Sequence, residues 1–162
     1  MRNAFLAAVL GINLEEIVES RILPSHLRQK DKDDKLGILD VRVLLNNKEQ
    51  IDIEIQVTSS EYWAERTLFY LGKMFVDQLK PGEDYQKLEK CIHVGILNFT
   101  LFDDEEYYSR FHFWSDQGRK MYSDKYEIHT LELPKLAKHE YPETELLKVA
   151  TSIDQCRRRR KI

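Results

Sequence analysis

The sequence predicts one α/β domain whose elements follow the order α, β, β, β, α, β and then β, β, α. Three observations carry this expectation. Two runs between residues 36 and 57 alternate apolar and polar side chains with the period of a strand. A stretch from about 60 to 79 repeats its apolar residues with the period of a helix, and the other apolar runs are short and bounded by polar segments. A chain of 162 residues is long enough to bury one core and leaves little for a second.

Phe5, Leu6, Val9 and Leu10 recur at helical spacing, so residues 2 to 10 are expected to form a short amphipathic helix closed by Gly11. Ile17 to Leu23 is β-compatible and stops at Pro24, after which His26 to Lys35 is charged enough to be a solvated loop. Leu36 to Leu45 and Gln50 to Val57 are the clearest strands. Asn46-Asn47-Lys48 joins them, because asparagine tolerates the left-handed backbone of a tight hairpin. Thr58-Ser59-Ser60-Glu61 has the form of a capping box and opens a helix over about 60 to 79. Ala64, Leu68, Leu71, Phe75 and Leu79 lie on its apolar face, and Lys80-Pro81-Gly82 ends it. Lys90 to Phe99 is an apolar strand, Phe102 to Glu106 an acidic loop, Tyr107 to Trp114 and Tyr126 to Leu133 two further strands, and Pro134 onward a helical tail. No internal repeat occurs, and the basic run Arg157 to Lys161 reads as a solvated end.

Composition narrows the class. A hydrophobic fraction of 42% and a charged fraction of 33% belong to a soluble globular chain, and no run approaches the roughly 20 apolar residues that cross a bilayer. The apolar run Ala4 to Ile12 is preceded by Arg2 alone and lacks a small-residue cleavage site before Asn13-Leu14-Glu15-Glu16, so no signal peptide is expected. Cys91 and Cys156 make neither a disulfide framework nor a metal-ligand pair, which suits a reducing cytoplasm. A net charge of −3 argues against non-specific coating of nucleic acid, while leaving room for a local basic face. His26, His93, His112, His129 and His139 show no ligand spacing and are expected to be structural.

The hairpin carries the chemistry. In Gln50 to Val57 the alternation is strict, so Ile51, Ile53, Ile55 and Val57 share one face, expected to be core, and Asp52, Glu54 and Gln56 the other. For Leu39, Val41 and Val43 to join those isoleucines, paired residue numbers must sum to an even value, and a three-residue loop at 46 to 48 sets residue 45 opposite 49. That register sets Asp40 opposite Glu54, Arg42 opposite Asp52 as a cross-strand ion pair, and Ile38 opposite Gln56. Two carboxylates about 5 Å apart at Cβ repel each other unless a cation lies between them. Magnesium, which takes one or two carboxylates plus waters and phosphate oxygens, would resolve the conflict. The plain alternative is a wet sheet surface whose acids serve solubility.

Lys35-Leu-Gly-Ile-Leu-Asp40-Val-Arg-Val, Ile51-Asp-Ile-Glu54-Ile-Gln56-Val and Arg66-Thr-Leu-Phe-Tyr70 are followed by Asp77-Gln-Leu and Gly82-Glu-Asp-Tyr85-Gln-Lys-Leu88. With Ile96-Leu-Asn98-Phe and Leu131-Glu-Leu-Pro134-Lys, this series resembles the PD-(D/E)XK nuclease family transposases, also called recombination-promoting nucleases, over about residues 5 to 136. The resemblance implies a restriction-endonuclease-like αβββαβ core with a mixed central sheet flanked by helices. It sets a nuclease-like domain at 1–136 and a helical tail with a basic end at 137–162. Relative to the family pattern the chain starts within the first helix and stops soon after Leu-Pro-Lys, as expected of a fragment, and Met1 to Leu10 holds no acid.

What the resemblance implies for function is a cytoplasmic, Mg²⁺-dependent DNA endonuclease, with Mn²⁺ as an alternative ion, linked to recombination or mobile elements. Asp40, Glu54 and the Ile55 carbonyl would hold the ion. Gln56, standing where the wider superfamily places lysine, would position the nucleophile. Lys35, at the mouth of the strand carrying Asp40, would contact phosphate, and Arg66, Tyr70 and Lys73, which recur at helical spacing on a side away from the apolar stripe, would face DNA backbone; otherwise Lys35 is a solvated loop lysine, Arg66 braces the acidic hairpin and Tyr70 is a core-edge aromatic. DNA is the expected partner, no membrane is involved, and a homodimer is allowed. The competing expectation is a catalytically silent, truncated module that binds DNA or assembles without cutting.

Overall fold

The computed structural model describes residues 1–25 and 40–159. The chain runs through α1 (Arg2–Leu10), β1 (Ser20–Leu23), β2 (Val41–Leu45), β3 (Glu49–Gln56), α2 (Trp63–Val76), β4 (Cys91–Leu97), β5 (Tyr108–Trp114), β6 (Met121–Glu132) and α3 (Glu145–Arg159). This is the order expected from periodicity. The six strands form one mixed sheet in the order β1-β2-β3-β4-β6-β5, with β3, β4 and β6 parallel and the outer pairs antiparallel. A parallel neighbour needs a crossover, and α2 supplies the one between β3 and β4.

The hairpin has the expected register: Leu45 pairs with Glu49, Val43 with Ile51 and Arg42 with Asp52. Asn46 and Asn47 turn the chain at φ 50° and 57°, where asparagine is among the few side chains tolerated. The expected core face holds for Ile51 and Ile53, but the opposite face is not wet and the core face does not extend to Ile55. Asp52 and Glu54 are buried at 1% and 3% exposure, whereas Ile55 on the supposed core face is 59% exposed. The reason is that β3 lies inside the sheet, where α2 roofs the acid-bearing face and α1 and α3 pack on the other. Parallel strands covered on both sides need no wet face.

Other local expectations are also corrected. Arg42 and Asp52 form no ion pair among the described residues; Arg42 donates to Gln50 Oε1 at 3.1 Å from Nε, and Asp52 turns to His93. The capping box does not form. Gln56 Nε2 donates to the Thr58 carbonyl at 2.8 Å and Ser60 Oγ accepts the Tyr62 amide at 3.3 Å, so a turn precedes the helix, which begins at Trp63 without a side-chain cap. Its buried stripe is Trp63, Thr67, Leu71 and Met74, while Leu68 is 54% exposed. The stripe is displaced by about a residue because large apolar groups lie on both flanks, and contact with β4 decides between them. The basic C-terminal run is no loose end as far as Arg159: it continues α3, where Arg157 and Arg158 pair with Asp154 at 2.6 and 2.7 Å. Cations in the last helical turn also complement the helix dipole.

The main core joins Leu6, Val9 and Leu10 of α1 with Val43, Leu45, Ile51, Ile92, Val94, Leu131 and Ala150 of α3. A smaller cluster, Leu71, Met74 and Cys91, seals the sheet beneath α2. Among the described residues no helix is long and apolar enough to cross a membrane.

Candidate active site

The site starts from the alternation of β3. Asp52 and Glu54 point to the α2 side, and the parallel ladder sets them beside His93 and Gly95 of β4. His93 Nδ1 lies 2.8 Å from Asp52 Oδ2. Glu54 Oε1 accepts from the guanidinium of Arg66, and the same group reaches Gln56 Oε1 at 3.5 Å. Arg66 in turn stands 5.6 Å from the ring centroid of Tyr70. Trp63 closes the roof, edge-on to His93 at 5.7 Å and to Phe99 at 6.2 Å between ring centroids.

Burial pushes the Glu54 carboxyl above its ordinary range; Arg66 and His93 pull it back, and the charges of Asp52 and Asp40 push it up again. Asp40 stands one residue before β2, where the hairpin register continued by one step puts it opposite Glu54. It is exposed, and its Oδ2 accepts the Ile55 amide at 3.0 Å. That bond ties the first acid to the strand carrying the second.

Asp40, Glu54, Ile55, Gln56, Arg66 and Tyr70 thus gather around the end of β3. Lys73 is half-buried further along α2, and Lys35 lies outside the described residues, as do Ile38, Leu39, the charged loop and His26. Two residues of the site were not singled out for chemistry by sequence reasoning. Asp52 shares the face of Glu54, a signal readable from alternation, and His93 interrupts an apolar run; only the parallel β3–β4 register shows that they meet.

Three buried polar atoms here have no hydrogen-bond partner among the described residues: Asp52 Oδ1, Glu54 Oε2 and His93 Nε2. An unpaired buried acceptor is costly. A carboxylate oxygen left open at Glu54, next to a strand tied to Asp40, fits the all-oxygen preference of a hard divalent ion.

Over residues 3–154 the chain matches the family model of the PD-(D/E)XK nuclease family transposases. The chain belongs to that family, and its mixed six-stranded sheet with three helices is consistent with a PD-(D/E)XK nuclease-like fold. No curated protein and no solved structure matches it. Membership points to nuclease-type activity and to a nucleic-acid substrate, and the buried Asp/Glu/His cluster is of a kind that could hold a divalent metal.

Proposed function

We propose that the protein is a Mg²⁺-dependent DNA endonuclease, able to use Mn²⁺, that hydrolyses phosphodiester bonds in DNA recombination or mobile-element processes in the cytoplasm. The observation that carries this reading is the tie between Asp40 and Ile55 beside a buried Glu54 with one oxygen unpartnered. Asp40, Glu54 and the Ile55 carbonyl would hold the ion. When bound, a divalent metal acidifies a water and offsets charge on the scissile phosphate.

The other residues act directly. Gln56 carries no charge, and its amide nitrogen is engaged by Thr58, so its carbonyl oxygen is the group that orients a water by accepting one of its protons. Arg66, with its side chain 38% exposed, supplies the positive charge that glutamine lacks and extends toward the substrate phosphate. Tyr70 steers that guanidinium by ring contact, while Lys73 and Lys35 are proposed as phosphate contacts outside the reacting centre.

One observation favours the second reading, a non-catalytic DNA-binding or assembly module: Glu54 is already neutralised inside the protein by Arg66. Plasmid nicking separates the two. Wild-type protein is expected to nick supercoiled DNA with Mg²⁺ and not with a chelator, and Asp40→Ala or Glu54→Ala to lower the rate by about 100-fold or more, as loss of a several-kcal/mol metal contribution requires. Salt-sensitive DNA binding without cleavage would establish the silent module instead.

A further inference from the structure

Next to the proposed nuclease site lies a second set of donors, of which the hydrolysis described above uses Glu54 alone. One ligand atom each from Asp52, Glu54 and His93 lies within 4.8 Å of the others, and all three residues are at least nine-tenths buried. Each also keeps one polar atom without a partner. In a folded interior such atoms are normally satisfied, and here three of the four orphaned buried side-chain atoms among the described residues belong to this one cluster. Metal–ligand bonds of about 2.0–2.2 Å put neighbouring donors roughly 3–4 Å apart, so small side-chain rotations bring this group to coordination distance.

We propose that Asp52, Glu54 and His93 form a buried site for a divalent cation of the Zn²⁺ class, distinct from the all-oxygen site of Asp40 and Glu54. The donor set decides the class. Imidazole with two carboxylates suits zinc, whereas magnesium favours oxygen ligands and retains several waters. His93 Nδ1 faces Asp52 Oδ2 at 2.8 Å, so an ion entering between them replaces that hydrogen bond with two metal–ligand bonds. Glu54 is then the hinge between the two sites, with one oxygen toward Arg66 and the other unpartnered. The Trp63 roof keeps water out, so uptake is expected to be slow in the native state and fast during refolding.

The site stands whether or not Asp40 and Gln56 support hydrolysis, and its test is a binding measurement. Chelator-stripped full-length protein is titrated with Zn²⁺ by calorimetry while the histidine side-chain nitrogens are followed by ¹H–¹⁵N correlation NMR. One ion is expected to bind with a shift at His93, and an excess of Mg²⁺ is expected not to displace it. His93→Gln and Asp52→Asn should each weaken binding at least about tenfold, and Asp40→Ala should leave it within about threefold. A wild-type NMR titration that saturates with His93 unshifted overturns the proposal even if the variants do not fold. So does a Zn²⁺ affinity that survives His93→Gln in a folded protein, or one lost equally with Asp40→Ala. Failure of plasmid nicking bears on the nuclease reading alone.

Discussion

At position 95 a Cβ would lie 2.7 Å from the indole of Trp63, closer than packed carbon atoms come. The missing side chain is what lets Trp63 settle over His93 and Gly95, and Arg66 sits one helical turn beyond Trp63. Gly95→Ala is therefore expected to force α2 away from β4, costing about 1–3 kcal/mol as overpacking does. Urea denaturation measures the loss. Nicking activity should fall with it because Arg66 moves with the helix, and a variant as stable as wild type would show that α2 is free to slide.

The hairpin turn does more than reverse the chain. Asn46 Oδ1 accepts the amides of Val18 and Glu19 at 2.8 and 3.1 Å, and its Nδ2 donates to the Glu16 carbonyl at 2.9 Å. Asn47 Oδ1 accepts from Arg21 at 2.9 Å, and Asn47 Nδ2 donates to Glu19 at 2.7 Å. The turn thereby anchors β1, an edge strand of four residues that has little burial of its own. Asn46→Gly keeps the left-handed backbone but removes the side-chain bonds, with an expected loss of about 1–3 kcal/mol. Asn46→Asp retains the acceptor and should fall between the two. Amide hydrogen exchange should accelerate first in β1, and uniform acceleration across the sheet would contradict this anchoring role.

Across the whole molecule a polar network ties the sheet together on the face opposite Asp52 and Glu54. Glu127 of β6 is met by His129 at 2.6 Å, Arg110 at 2.8 Å, His112 at 3.0 Å and Lys90 at 3.3 Å. The Tyr108 hydroxyl bridges His129 Nδ1 at 2.7 Å to the Val9 carbonyl of α1 at 2.9 Å, and burial raises that phenol to about 12. Burial alone would raise the Glu127 carboxyl, but hydrogen bonds from His129 and Arg110 outweigh it and hold the group far below its usual range. Burial lowers the His129 imidazole below its ordinary value, only partly offset by Glu127, whose Oε1 lies 2.6 Å from His129 Nε2. Both groups take up protons in the unfolded chain before they do so in the folded one. Their stabilisation is complete above about pH 6.5 and is lost on acidification, first through His129 and then through Glu127 below about 4.5. Glu49 and Glu54, raised by burial, act in the opposite sense, so the check is a difference. Thermal unfolding of wild type minus His129→Gln should show an advantage that is flat near pH 8 and shrinks as pH falls through 6.5, and one that grows toward pH 5 would refute the assignment.

The order of elements, the hairpin and its register were legible from residues 36 to 57 because strand alternation and an asparagine turn are local properties, set within a few residues of one another. The pairing of Asp40 with the strand of Glu54 followed from that register for the same reason. That the acid-bearing face of the hairpin is buried as well was decided elsewhere: β4, far along the chain, lies parallel to β3, and α2 packs over the acids. The same long-range contact selects Trp63 and Met74 over Leu68 for burial and sets His93 against Asp52. Local pattern fixes where side chains point along an element, but only the neighbours that arrive from distant sequence determine what they point at.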